Sequence, residues 1–215
     1  MPDVEDTRGP VRFTAPAERA SSIDLKSKEV TSFVKLMKSK KTVVDPTLNV
    51  FEGMFTARTG TMAASLAPVA DRLPVQVARQ GRGGGLPVPE GKDQTYKDAF
   101  ATMKKLVKML HDAGITIVAG TDSTAGIGLE RELEIYSESG IPNRDVLALA
   151  TIGSAKVMHF EKELGSVSKN KRADMVLIDG DPVARMRDIR KVTLVVKNGL
   201  VFKPEELDRA LGIKP

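Results

Sequence analysis

Apolar residues recur along this chain with two periods, and the alternation between them predicts its elements. Over 29–40 (EVTSFVKLMKSK), Val30, Phe33, Val34 and Met37 fall at helical spacing, which predicts a short amphipathic helix. Residues 42–48 (TVVDPTL) read as a buried strand stopped by Pro46, because proline has no N–H to give to a ladder. The clearest helix is 95–113, where Ala99, Phe100, Met103, Leu106, Val107 and Leu110 share one face and Gly114 stands at the C-terminal glycine position. A second apolar strand, ITIVAGTD at 115–122, ends in Gly-Thr-Asp. A helix at 128–139 follows, with Leu129, Leu133 and Tyr136 inward and Gly140 closing it. Asn143 is placed to cap another helix running through Leu147 and Ala150 toward Met158.

Two stretches break the pattern. Residues 1–28, with Pro2, Gly9, Pro10 and Pro16, read as an irregular lead-in. Residues 49–95 are too long for an ordinary connection, so they should hold a helix, best placed at 61–73 and ended by Pro74, or act as a lid. The GRGGG run at 81–85 reads either as a flexible covering loop or as a plain linker. It lacks the preceding strand and following Gly-Lys-Ser/Thr of a phosphate loop. The tail is β-rich: 173–179 and 191–202 read as strands, and Asn198-Gly199 between apolar runs predicts a hairpin turn. Each of the two earlier strands is followed by a helix, as in the βα units of a parallel sheet or barrel.

Composition narrows the chemistry. The chain has 215 residues, 41% of them hydrophobic, with a net charge of +5, enough for one domain with a core or one plus an appendage. Cysteine is absent, which excludes disulfides, cysteine-based zinc sites, iron–sulfur clusters and a cysteine nucleophile. Histidine occurs twice, at His111 and His159, too few for a three-histidine metal site. Lys35, Lys38, Lys40 and Lys41 cluster, but aromatics are 4% and tryptophan is absent, so the cluster reads as a solvated helix end and no nucleic-acid partner is expected. The first ten residues lack the charged and apolar regions of a signal peptide, and no apolar run approaches the roughly 18 residues of a membrane span. No membrane partner and a cytoplasmic location are expected.

In a βα barrel, chemistry gathers at the C-terminal ends of the strands. Asp122 ends one strand here and Asp45 lies near the end of the other. On spacing alone Asp122 reads either as a cap of its loop or as an acid that binds a metal, activates water or orients a base. Thr47 and Glu52 follow the first strand and either line a pocket or pack. Arg131 either meets an acidic substrate group or makes a surface ion pair. Glu132 and Glu134 read as structural, one capping or pairing with the loop and one in solvent. Ser123 and Ser154 lack the Gly-x-Ser-x-Gly setting of a serine hydrolase.

Several ordered motifs carry a resemblance. AGTDSTAG at 119–126, RELEIYSESGIPNRDVLALATIGSAKVM at 131–158, LGSVSKNKRADMVLIDGDP at 164–182 and VTLVVKNGLVF at 192–202 resemble the C-terminal half of the amidohydrolase superfamily. The VDPTL and LHDAGITIVAGTD segments are similar to it as well. The nearest likeness is to its imidazolonepropionase-like branch, which includes prolidase-like enzymes. The resemblance implies an α/β fold: the C-terminal portion of a (β/α)8 TIM-like barrel plus a small β-sandwich remnant. Residues 1–163 would be the barrel portion, with 42–48 as strand seven and 115–122 as strand eight, and 164–215 the sandwich portion. Met1 would then fall just after strand six.

The resemblance also implies that Asp122 binds the catalytic divalent metal, zinc by family, and takes a proton from the attacking water. The substrate would be a small-molecule amide or dipeptide-like compound. The family's His-x-His pair and its histidines on strands five and six have no counterpart in this sequence. The implied partners are a missing N-terminal half or further copies of the chain, and the isolated chain is expected to associate. Three readings stand: a metal-dependent amidohydrolase acting on a carbon–nitrogen bond, with the metal absent from this chain alone; a non-catalytic truncated fragment or interaction module; and a metal-free hydrolase using Asp45 and Asp122 as paired carboxylates.

Overall fold

A computed structural model describes residues 8–123 and 126–214. The chain opens with helix α1 (Val11–Arg19), a 3-10 turn at Ala20–Ser22 and helix α2 (Lys28–Ser39). Strand β1 (Val43–Val44) leads into α3 (Leu48–Thr56), and a 3-10 turn at Ala67–Val69 precedes α4 (Val75–Gln80). The long helix α5 (Asp93–Asp112) runs into β2 (Thr116–Ile117), then α6 (Ile127–Glu138). Helix α7 (Asn143–Ala148) continues through a π-helical turn at Leu149–Gly153 into α8 (Ser154–Val157). Strands β3 (Met175–Ile178), β4 (Val192–Lys197) and β5 (Leu200–Phe202) follow, with a 3-10 turn at Met186–Arg190 between β3 and β4, and α9 (Pro204–Ala210) ends the fold.

The two βα units pair in parallel. Val43 lies opposite Thr116 and Val44 opposite Ile117, and the Val118 amide extends the ladder to the Val44 carbonyl. Each strand is two residues long, against seven and eight expected from the sequence. Among the described residues each has one neighbour, and a lone strand pair cannot hold extended backbone over the full apolar run. No closed barrel forms from these residues. The second sheet is antiparallel in the order β3–β4–β5. Asn198 and Gly199 join β4 to β5 with φ of 50° and 79°, the positive pair that a type I′ hairpin requires.

The core lies around α5. Ala99, Phe100, Val107 and Leu110 of α5 pack with Leu48 and Phe55 of α3, Ile117 of β2, and Leu133, Ile135 and Tyr136 of α6. Phe55 is fully buried, its ring edge-on to Phe51 at 5.7 Å and tilted to Tyr96 at 6.2 Å. Met186, in the turn before β4, joins the same cluster, so the tail is docked on the helical layer.

Several expectations need correction. The lead-in holds α1: Pro10 sits at its N-cap, where a missing N–H costs nothing, and Ala15 and Ala17 are buried as α1 packs on α5. Interior Pro16 costs one backbone bond, which that packing offsets. No helix spans 61–73, because Pro68 inside it lacks an N–H and its ring would strike the preceding turn. The excursion instead folds back on itself, with the Gly60 and Ala63 amides donating to the Arg82 and Gly81 carbonyls. Phe33 is 60% exposed and Leu129 39% exposed, so neither is a core residue. Asn143 does not cap α7: its side chain accepts from Ser137 Oγ at 2.6 Å and donates to the Val183 carbonyl at 3.0 Å. No helix among the described residues is long and apolar enough to cross a membrane.

Phe55→Ala should cost about 3–5 kcal/mol through lost transfer energy and the cavity left between Phe51 and Tyr96. Phe33→Ser should stay within about 0.5 kcal/mol. Urea denaturation of both variants checks the pair; a larger loss in the Phe33 variant would contradict the helix orientation.

Candidate active site

The C-terminal ends of β1 and β2 bring two loops together. Asp45 follows β1 directly, and its Oδ1 accepts the Gly120 amide at 2.9 Å across the strand pair. That approach requires glycine at 120, because an added Cβ would lie 2.1 Å from Asp45 Oδ2. Asp122 stands two residues beyond, exposed, in the left-handed region with φ 45°. Short polar side chains tolerate that conformation best. Thr47, also left-handed at φ 47°, turns the chain from β1 into α3.

The residue that organises these loops is Glu132. It points from α6 into the core, is fully buried, and accepts the amides of Leu48 at 2.8 Å and Asn49 at 2.6 Å. These are the first amides of α3, which have no partner within their own helix, so the carboxylate caps α3 from a different helix. Burial pushes the Glu132 carboxyl up to about 7, against the opposing pull of the Asn49 and Leu48 amides. The Tyr136 hydroxyl, one turn on, donates to the Val118 carbonyl at 3.0 Å just past β2. Burial, then the Glu132 carboxyl, raises the Tyr136 phenol. Gly128, at the start of α6, is close to both Asn49 and Ser123: an added Cβ there would lie 3.3 Å from Asn49 Nδ2 and 3.2 Å from Ser123 Cβ.

The opposite face of α6 carries an ion-pair network. Arg131 grips Glu52 of α3 with two bonds of 2.8 and 2.7 Å and also reaches Glu134 at 3.0 Å and Glu138 at 2.6 Å. Arg190 bonds Glu134 at 2.6 Å and Glu130 at 2.8 Å. Burial alone would lift the Glu134 carboxyl, but the bonds from Arg190 and Arg131 outweigh it and hold it below the usual range. Glu134 is therefore paired and Glu132 buried, so neither is in solvent, where the sequence suggested one of the two would lie. Glu52, read from sequence as lining a pocket or packing, and Arg131, read as meeting a substrate or making an ion pair, face each other here. A cavity of about 520 Å³ borders this network and includes Arg131, Glu134, Asn143 and Arg187, but neither strand-end acid lines it.

The two histidines lie away from the strand ends. His111, in the last turn of α5, sits 3.1 Å from Asp112 and 3.4 Å from Asp145, and His159 follows α8 with φ 61°. Among the described residues no three His, Asp or Glu side chains gather into a group able to hold a metal ion. Asp122 and Asp45 together offer two carboxylates, one of them already engaged by Gly120, so the residues present do not fit a catalytic divalent cation on their own.

The structure thus holds a parallel pair of βα units with an aspartate in the loop after each strand. Residues 53–201 match the amidohydrolase family, and the chain belongs to it. The chain is 31% identical over 94 residues to a 5-methylthioadenosine/S-adenosylhomocysteine deaminase of Thermoanaerobacter pseudethanolicus, an alignment covering 38% of this chain and 21% of that protein. It is 27% identical over 88 residues to the deaminase of the same name from Moorella thermoacetica, covering 34% and 20%. It thus spans about a fifth of the curated relatives it matches.

Solved structures show the same fold. The crystal structure of a Xaa-Pro dipeptidase with bound methionine superposes with a TM-score of 0.57 at 22% identity, covering 85% of this chain and 38% of that one. A bottromycin amidohydrolase gives 0.57 at 19% identity, covering 80% and 41%.

Two outcomes test the site. The purified chain should hold no stoichiometric zinc, since one or two carboxylates give neither the ligand number nor the geometry. Elemental analysis finding one tightly bound metal per chain would show that other side chains complete a site. The second concerns Glu132, whose carboxyl rises from 4.5 when unfolded to about 7 when folded. Folding then favours its protonated form, so its contribution is complete below about pH 4.5, declines as pH rises to about 7 and is flat above. The stability difference between the parent chain and Glu132→Gln should fall by about 3 kcal/mol across that window. Urea titrations at several pH values check the slope, and a difference independent of pH would show that Glu132 is not titrating there.

Proposed function

We propose that this chain is the strand-seven and strand-eight portion of an amidohydrolase that breaks a carbon–nitrogen bond with water, and that Asp122 carries the proton. The observation that carries this reading is the placement of Asp122: exposed, in the loop that follows β2, two residues beyond the Gly120–Asp45 bond, in a chain of the amidohydrolase family. A free carboxylate at that point can take a proton from water attacking a trigonal carbon and pass it to the departing nitrogen. The names of the relatives and neighbours, deaminase, dipeptidase and amidohydrolase, share that bond class. The substrate is accordingly proposed as a small amide, dipeptide or amino-substituted heterocycle.

In this reading residues 1–163 form the barrel portion and 164–215 the sandwich portion. The family's divalent cation would be held mainly by side chains outside these 215 residues, since the residues here do not assemble a site for it. The neighbours, of which the chain covers about two fifths at most, have the length from which such side chains would come. Thr47 lies at the rim of the same strand ends. Glu52 and Arg131 take part through their mutual ion pair, which fixes α3 to α6.

With a polypeptide carrying the remaining strands supplied in trans, Asp122→Asn should lower turnover about 100-fold or more while circular dichroism is unchanged. Asp45→Asn should cost less. Near-normal turnover in the Asp122 variant would remove it from the mechanism. The reverse order of severity would favour a pair of carboxylates working without metal, and no turnover in any combination would favour a non-catalytic module.

A further inference from the structure

We propose that Glu132 is the positioning residue for Asp122, holding the loop that carries it through a hydrogen-bonded path that runs from α6 across α3 and β1 to Gly120. The proposal rests on the reading of Asp122 as the proton carrier. Glu132 itself lies inside the core and touches neither the strand-end surface nor any reacting group, so its effect must be transmitted.

One tie connects the clamp to the loop. It begins at the Glu132 carboxylate, which fixes the amides of Leu48 and Asn49 at 2.8 and 2.6 Å. Those amides start α3 at the residue after Thr47, whose left-handed turn sets where Asp45 can lie. Asp45 in turn accepts the Gly120 amide at 2.9 Å, two residues before Asp122. Gly120 has no slack, because the Asp45 carboxylate occupies the space a Cβ would fill. Ser123 directly follows Asp122, so its amide reports on the same loop beyond the Gly120 bond.

The groups that face Glu132 are its two amide donors, Asp45 and Tyr136. Asp45 faces it from the end of β1, disfavouring its charge, and Tyr136 faces it from its own helix. From α3 it meets the two amides, while Glu52 of that helix is turned to Arg131. The charged groups that neighbouring elements bring to α6 are engaged with other carboxylates: Lys104 of α5 with Glu138, and Arg190 of the 3-10 turn with Glu130 and Glu134. On α7, Asp145 is turned to His111.

The test is an amide-resolved pH titration of the full isotope-labelled chain from about pH 5 to about pH 9, bracketing the range in which Glu132 should ionise. Leu48 and Asn49 amide protons should move downfield as Glu132 ionises, and Gly120 and Ser123 should shift with the same midpoint. Glu132→Gln should abolish all four responses, and Asp45→Ala, which removes the acceptor, should keep those of Leu48 and Asn49 while losing that of Gly120.

Invariant Gly120 and Ser123 beside titrating Leu48 and Asn49, or a Gly120 response that persists in Glu132→Gln, would overturn the proposal. If the Gln variant does not fold, the titration of the parent chain decides alone. If spectra broaden, hydrogen exchange of the parent and Asp45→Ala chains at one pH reads the same path. Gly120 should exchange about tenfold faster in the variant with the β3–β5 amides unchanged, and an unchanged Gly120 would overturn the proposal. None of these readouts involves turnover, so they stand apart from the fate of Asp122→Asn.

Discussion

A carboxylate taken out of water to meet the first two amides of another helix is the constraint around which this structure is arranged. The start of α3 is buried, and its orphan amides would each cost about 1–3 kcal/mol if left without an acceptor. Glu132 supplies that acceptor from α6, so α3 begins where α6 allows it to begin. Phe55 and Leu48 then fall into the core, Glu52 falls opposite Arg131, and the β1 end is drawn beside the β2 end. Helix α6 works on both faces. Its inner side holds α3 by the cap, and its outer side holds α3 and the turn before β4 through Arg131, Glu134 and Arg190. Such an array of charges is demanding, because truncating one member strands the others away from solvent.

The sequence was most legible where local signals and tertiary demands agree. The stripe on 95–113 has one solution, and α5 forms within two residues of it at the N-terminal end. Asn198-Gly199 fixes its turn by backbone chemistry alone. Legibility failed where packing overruled a local rule. The helix α1 survives its proline because alanines there are buried against α5. Helix α3 was hidden because Pro46 signalled a stop, and the acceptor that lets it start lies 83 or 84 residues further on. The strands were overread, since an apolar run marks what can be buried in a sheet and not how many neighbours the sheet has.

The two strand-end acids were found from position and chain pattern. Glu132 was seen only as structural, although a signal existed. It stands three residues after Leu129 and four before Tyr136, on the stripe expected to face inward. An acid on an apolar stripe has to find donors in the core, and this one does. Leu129 shares that spacing but lies at the first turn of α6, where its side chain is 39% exposed.

The contact between Asp45 and Gly120 has a consequence for how this sequence can change over time. The carboxylate fills the volume that any side chain at 120 would need. Replacing the glycine alone evicts the acid, and replacing the acid alone leaves an amide without its acceptor. The two positions therefore behave as one unit of inheritance: the effect of a substitution at either depends on the residue at the other, and a larger residue at 120 is accommodated only after 45 has become small. Residues 75 apart in the chain are in this way bound to a shared history by a single hydrogen bond.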